Sequence, residues 1–163
     1  MKTHEAITSS LQTARFIMTS YLNDMSDADL LVRPVPGANH AAWQLGHLIT
    51  SESQMILGVR AGSAPALPPE FLARHDKASA SRNAATEFYT KNEYLNFMNS
   101  VREATIALLG QLSEQDLSQP GPEAMRSYAP KVGSVFQSIA HHELMHSGQI
   151  AVIRRALGKP VVI

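Results

Sequence analysis

The most reactive-looking residues lie near the C-terminal end, where His142-Glu143-Leu144-Met145-His146 spells H-E-x-x-H. Two histidines four positions apart share one face of an α-helix, one turn from each other, so both imidazoles can reach a single metal ion. On a helix this pattern is the signature of zinc proteases, in which the glutamate is the general base. Zinc in such a site needs a third protein ligand. The extended histidine form would place it six residues past His146, but Val152 stands there. The acidic form would place it further downstream, yet after Glu143 the chain contains no Asp, Glu or His other than His146. A metalloprotease of either kind is excluded.

A third ligand must then come from upstream, where His4, His40, His47 and His75 are available. His4 is close to the N-terminus and His75 falls in an irregular stretch. His40 stands at a helix start and is expected to be solvated. His47 is mid-helix, beside Gly46 and one turn from Trp43, and is the best placed of the four. A buried histidine can also be an ordinary core residue, and that reading stays beside ligation for each of them. Glu143 has three readings: a general base, a hydrogen-bond partner of a ligating imidazole, or a solvated helix residue. His141 points away from the pair and reads as a surface or helix-contact residue, and Trp43 as core.

Four long amphipathic segments must position these groups. Apolar residues at three- and four-residue steps predict helices over about 3–23, 40–60, 90–112 and 134–157. Thr90 and Glu93 form a capping box at the third start, Asn39 is a candidate N-cap for the second, and Gly158 with Pro160 closes the fourth. On the fourth, His142 and His146 occupy positions where the stripe Val135, Ile139, Ile150, Ile153 calls for apolar side chains. Glu52 likewise sits on the apolar side of the second helix and needs a partner if buried, with Arg33 one candidate. The stretch 63–89 is irregular, but Pro69–Arg74 can form a short helix with proline in its first turn. Alternating strand runs are absent. These features predict a single all-α domain over 1–163, a four-helix bundle with long crossover connections.

Composition narrows the function. Fourteen Lys+Arg balance fourteen Asp+Glu in 163 residues, so the formal net charge is zero. That lacks the basic footprint of a nucleic-acid binder. There is no cysteine, which excludes disulfides, thiolate ligands and a cysteine nucleophile. No apolar run approaches the ~18 residues of a membrane span, and the polar start Met1-Lys2-Thr3-His4-Glu5 carries no signal-peptide core. The expectation is a cytoplasmic domain.

Taken together, Arg33-Pro34-Val35-Pro36-Gly37-Ala38, Trp43-Gln44-Leu45-Gly46-His47-Leu48 with Glu52, and His142-Glu143-x-x-His146-Ser147-Gly148-Gln149-Ile150 resemble the DinB/YfiT-like superfamily. The likeness runs from Leu30 to Leu157. It implies a four-helix bundle with a three-histidine site for a divalent metal, zinc or nickel, whose ligands here would be His47, His142 and His146. It also implies a homodimer and an enzyme of small molecules, in the class of thiol-dependent S-transferases and isomerases, with a non-catalytic metal-binding or stress-response interaction bundle as the alternative. A low-molecular-weight thiol would then be the cosubstrate, because the chain brings no thiol of its own. Three neutral imidazoles leave a coordination position open, as in catalytic zinc sites, where the ion can activate water, polarise a carbonyl or stabilise a thiolate.

Overall fold

The protein is described by a computed structural model covering residues 2–160 and 162. Its elements are α1 (Thr3–Leu22), α2 (Ala41–Val59), α3 (Pro69–Arg74), α4 (Lys91–Gly110), α5 (Glu114–Leu117) and α6 (Val132–Ala156), with short 3-10 turns between them. The described residues contain no strand; Pro120 and Lys131 form an isolated antiparallel bridge. The fold is all-α.

Local chemistry accounts for the ends of these helices. Thr90 and Glu93 cap α4 reciprocally, as their spacing predicts. Pro69 opens α3, supplying the φ a first turn needs. Gly158, at φ 68°, takes the left-handed conformation that ends α6. The start of α2 differs from expectation. Its N-cap is His40, not Asn39, and the His40 side chain accepts a hydrogen bond from the Trp43 amide. His40 is fully buried and its Nε2 lies 3.0 Å from the Arg82 carbonyl, so the expectation of a solvated residue fails. The strand of chain around Arg82, drawn in by Arg33, closes over it.

The long helices pack in pairs: α1 on α6, α2 on both α4 and α6, and α1 on α4. Their apolar side chains fall into two clusters. One joins Met18 and Leu22 of α1, Leu45 and Ile49 of α2, Met98 and Val101 of α4, and Ile150 and Ile153 of α6. The other joins Ile7 and Leu11, Ile56, Leu108 and Leu109, and Val135 and Ile139. Each long helix therefore passes from one cluster to the other, α1 and α6 in one direction and α2 and α4 in the opposite one. Because α2 and α4 run the same way, the chain must return along the molecule between them, which explains the long 60–90 connection.

That connection also supplies a wedge. Gly46 admits a close approach, but what approaches is the ring of His75 and not a helix backbone. A Cβ built on Gly46 would stand 2.0 Å from His75 Cδ2. His75 is buried, with Nδ1 2.7 Å from the Phe71 carbonyl and Nε2 2.8 Å from the Tyr94 hydroxyl. Burial pushes its pKa down to about 4. The ring thus fills the space of the missing side chain and locks α3 to α2 and α4. Gly46→Ala should lower the unfolding free energy by about 1–3 kcal/mol through overpacking, read as a shift in the urea midpoint. The loss should shrink in a His75→Ala background, and an equal loss in both backgrounds would contradict the contact.

Candidate metal centre

His47 on α2 and His142 and His146 on α6 converge where these helices pack. One ring nitrogen from each lies within 4.8 Å of the others. The Nε2 atoms of His142 and His146 are 3.2 Å apart. Two nitrogens bound tetrahedrally to one ion at usual Zn–N lengths stand about 3.3 Å apart, so the spacing suits a shared cation. His146 is buried, while His47 and His142 are half-buried and leave the cluster reachable from solvent. Burial lowers the pKa of all three, to about 4 for His142 and His146, with neighbouring histidines adding to the effect there. All three are therefore neutral near pH 7, the form that donates a lone pair. Among the described residues no fourth His, Asp or Glu joins the group.

The remaining histidines are elsewhere. His40 caps α2, His75 fills the Gly46 notch, and His4 reaches the Leu112 carbonyl at 2.7 Å. His141 is exposed.

Two residues of the first turn of α2 brace the cluster. The Trp43 ring stacks on His47 with 4° between planes and centroids 5.1 Å apart. Its indole N–H donates to the Asp76 carbonyl at 3.0 Å, which fixes the ring. Trp43 is buried, as expected, yet it also orients a ligand candidate. Gln44, also buried, places Oε1 2.9 Å from Nδ1 of His146. Sequence reasoning assigned Gln44 no role. The available signal was a polar amide one turn before Leu48, on the buried side of α2.

Beside the histidines lies a layer of four charges, one from each long helix: buried Glu52, Arg102 and Glu143, and half-buried Arg15. Arg102 donates from Nε to Glu52 Oε1 at 2.7 Å and from Nη2 to Glu52 Oε2 at 3.0 Å and Glu143 Oε2 at 2.7 Å. Its Nη1 donates to the Leu11 carbonyl at 2.6 Å. Arg15 Nε donates to Glu143 Oε1 at 2.7 Å, and Thr105 donates to Glu52 at 2.8 Å. Burial opposes the Arg102 charge, but Glu52 and Glu143 outweigh it and push its pKa up.

Two expectations change here. The partner of Glu52 is Arg102, because Arg33 is spent on Asn83 and on the carbonyls of Ala38, Ala80 and Arg82. Glu143 is not solvated: it is buried, and each of its oxygens accepts from a guanidinium. His142, Glu52, Glu143 and Arg15 also share the lining of one cavity of about 10 Å³, so the charge layer and the histidines are immediate neighbours.

The model of the DinB superfamily matches residues 10–150, and the chain belongs to that superfamily. A crystal structure of a conserved protein from Enterococcus faecalis superposes with a TM-score of 0.72 at 19% identity, covering 98% of this chain and 99% of that one. That likeness shows the fold. No curated protein matches this chain.

Removing one member of a buried ion network strands the others. Arg102→Leu should cost about 3–5 kcal/mol of unfolding free energy, measured by urea denaturation. Arg82→Ala, which breaks the exposed pair with Glu87, should cost no more than about 1 kcal/mol. Similar losses for the two variants would mean that the layer is not held as described.

Proposed function

We propose that this DinB-superfamily protein is a divalent-metal-dependent enzyme acting on a small molecule, with zinc or nickel held by His47, His142 and His146. The observation that carries the reading is the set of three neutral imidazoles whose donor atoms fall within 4.8 Å of one another. A site closed for structure normally has four protein ligands, whereas a site with three leaves room for substrate. The half-exposure of His47 and His142 supports that reading, since it leaves a side for a ligand to approach. A divalent ion there would supply Lewis acidity towards an anionic or thiolate group.

The chain's own residues define the rest. Because there is no cysteine, any sulfur nucleophile has to arrive with the substrate, which fits the thiol-dependent S-transferase or isomerase class, with a low-molecular-weight thiol, that the superfamily resemblance implies. Trp43 holds the His47 ring plane. Glu143, whose oxygens are taken by Arg15 and Arg102, is assigned a positioning role: it anchors α6 at the residue next to His142. With each of its oxygens already accepting from a guanidinium, we prefer this role to that of general base. We further read the four long helices as a bundle, and the protein as a cytoplasmic homodimer. Its zero net charge agrees with a function away from nucleic acid, and among the described residues no helix is long and apolar enough to cross a membrane.

Elemental analysis of untagged protein should find one zinc or nickel per chain. His47→Ala, His142→Ala and His146→Ala should each lose the ion while keeping the helical circular dichroism spectrum. Full occupancy in any of them would refute the ligand assignment. The loaded protein should also conjugate a small thiol to an electrophile, and none of the three variants should. A loaded protein inert towards bacterial thiols with a panel of electrophiles would remove the transferase reading.

A further inference from the structure

We propose that Gln44 is a positioning residue that fixes the tautomer of His146, so that the Nε2 lone pair faces the metal position; this rests on the metal-binding reading above. Both side chains are buried, Gln44 at 2% and His146 at 7% exposure, so water does not compete for their polar atoms. A carboxamide is ambiguous until its partners say which end is which. Here they do. One end of the Gln44 amide lies 2.8 Å from the carbonyl oxygen of Asn39. A carbonyl oxygen only accepts, so the amide nitrogen must be on that side. The amide oxygen is then the atom 2.9 Å from His146 Nδ1. That oxygen also only accepts, so the proton of the imidazole is on Nδ1. A neutral imidazole has one N–H, and Nε2 is left with its lone pair. Nε2 is the atom 3.2 Å from Nε2 of His142.

The Asn39 carbonyl is itself held in place. It belongs to the residue before the N-cap His40, whose ring is fixed by the Trp43 amide on one side and the Arg82 carbonyl on the other. Arg33 donates to the next carbonyl back, that of Ala38. The orientation is thus passed from the 33–40 segment through one amide to one imidazole. A carboxylate often orients a metal-binding histidine, but at position 44 it would set an oxygen against the Asn39 carbonyl. Only a side chain with a donor at one end and an acceptor at the other satisfies both neighbours, and glutamine has that length and chemistry.

The test uses the full chain at pH 8, stripped with a chelator, and long-range ¹H–¹⁵N spectra of its imidazoles. Wild-type His146 should be the Nδ1–H tautomer, and Gln44→Leu should show a mixture of both. Zinc affinity, by competition with a chromophoric chelator, should fall about 10- to 100-fold in Gln44→Leu. Gln44→Glu, which keeps an acceptor towards His146, should retain the Nδ1–H tautomer and serves as a check if the leucine variant folds poorly. An Nε2–H tautomer in the wild type would overturn the proposal, as would unchanged tautomer and affinity in Gln44→Leu. The expected tautomers in a wild-type chain that binds neither zinc nor nickel would support the role of Gln44 and refute the metal reading alone.

Discussion

Four charges with no net sum, three buried and Arg15 half-buried, constrain everything else in this molecule. Arg15, Glu52, Arg102 and Glu143 come one from each long helix and lie where each helix crosses from one apolar cluster to the other. Burying ions costs far more than burying a comparable apolar layer unless each is paired and hydrogen-bonded. The network meets that condition through the bidentate contact of Arg102 with Glu52, the Thr105 hydroxyl and the Leu11 carbonyl. Apolar packing alone tolerates small slips between helices, but a guanidinium fork facing a carboxylate does not. The layer therefore sets the axial register of the four helices, and register is what a site shared between two of them requires.

The histidines show why that matters. His142 and His146 are placed by helix periodicity alone, but His47 stands on another helix almost a hundred residues earlier. A shift of α2 against α6 by one residue would move it about 1.5 Å and rotate it away. Glu52 fixes α2 five residues past His47, and Glu143 fixes α6 at the residue after His142. Around this frame the smaller braces are local: Trp43 against His47, Gln44 against His146, and the His75 ring in the notch of Gly46. The result is a group of neutral donors held by rigid elements and open on one side, the arrangement that a reactive metal site needs.

What was legible in the sequence follows the same division. Features set within one turn could be read: the capping box at Thr90, the short helix at Pro69 and the stop at Gly158. The convergence of His47 with His142 and His146 was also accessible, because two polar groups on an apolar stripe demand a reason and few upstream histidines could supply a third. The charge layer was only half visible. Glu52 announced a missing partner, but nothing local indicates that Arg102, fifty residues on, supplies it. Arg33 is nearer in sequence, yet it turns to the carbonyls of the irregular segment. His40 misled for a related reason: a helix start is ordinarily wet, and only the fold of the chain around Arg82 makes this one dry. Glu143 was open to several readings because its helical position fits solvent, base and brace alike, until two arginines from other helices choose among them.

The most direct test of the central claim is anomalous diffraction from crystals of the protein loaded with zinc or nickel, recorded on both sides of the metal's absorption edge. If the three histidines hold the ion as proposed, there will be one peak per chain, about 2.0–2.1 Å from a ring nitrogen of His47, His142 and His146, with no fourth protein ligand. A peak coordinated by other residues, or a metal bound by fewer than these three histidines, would contradict it.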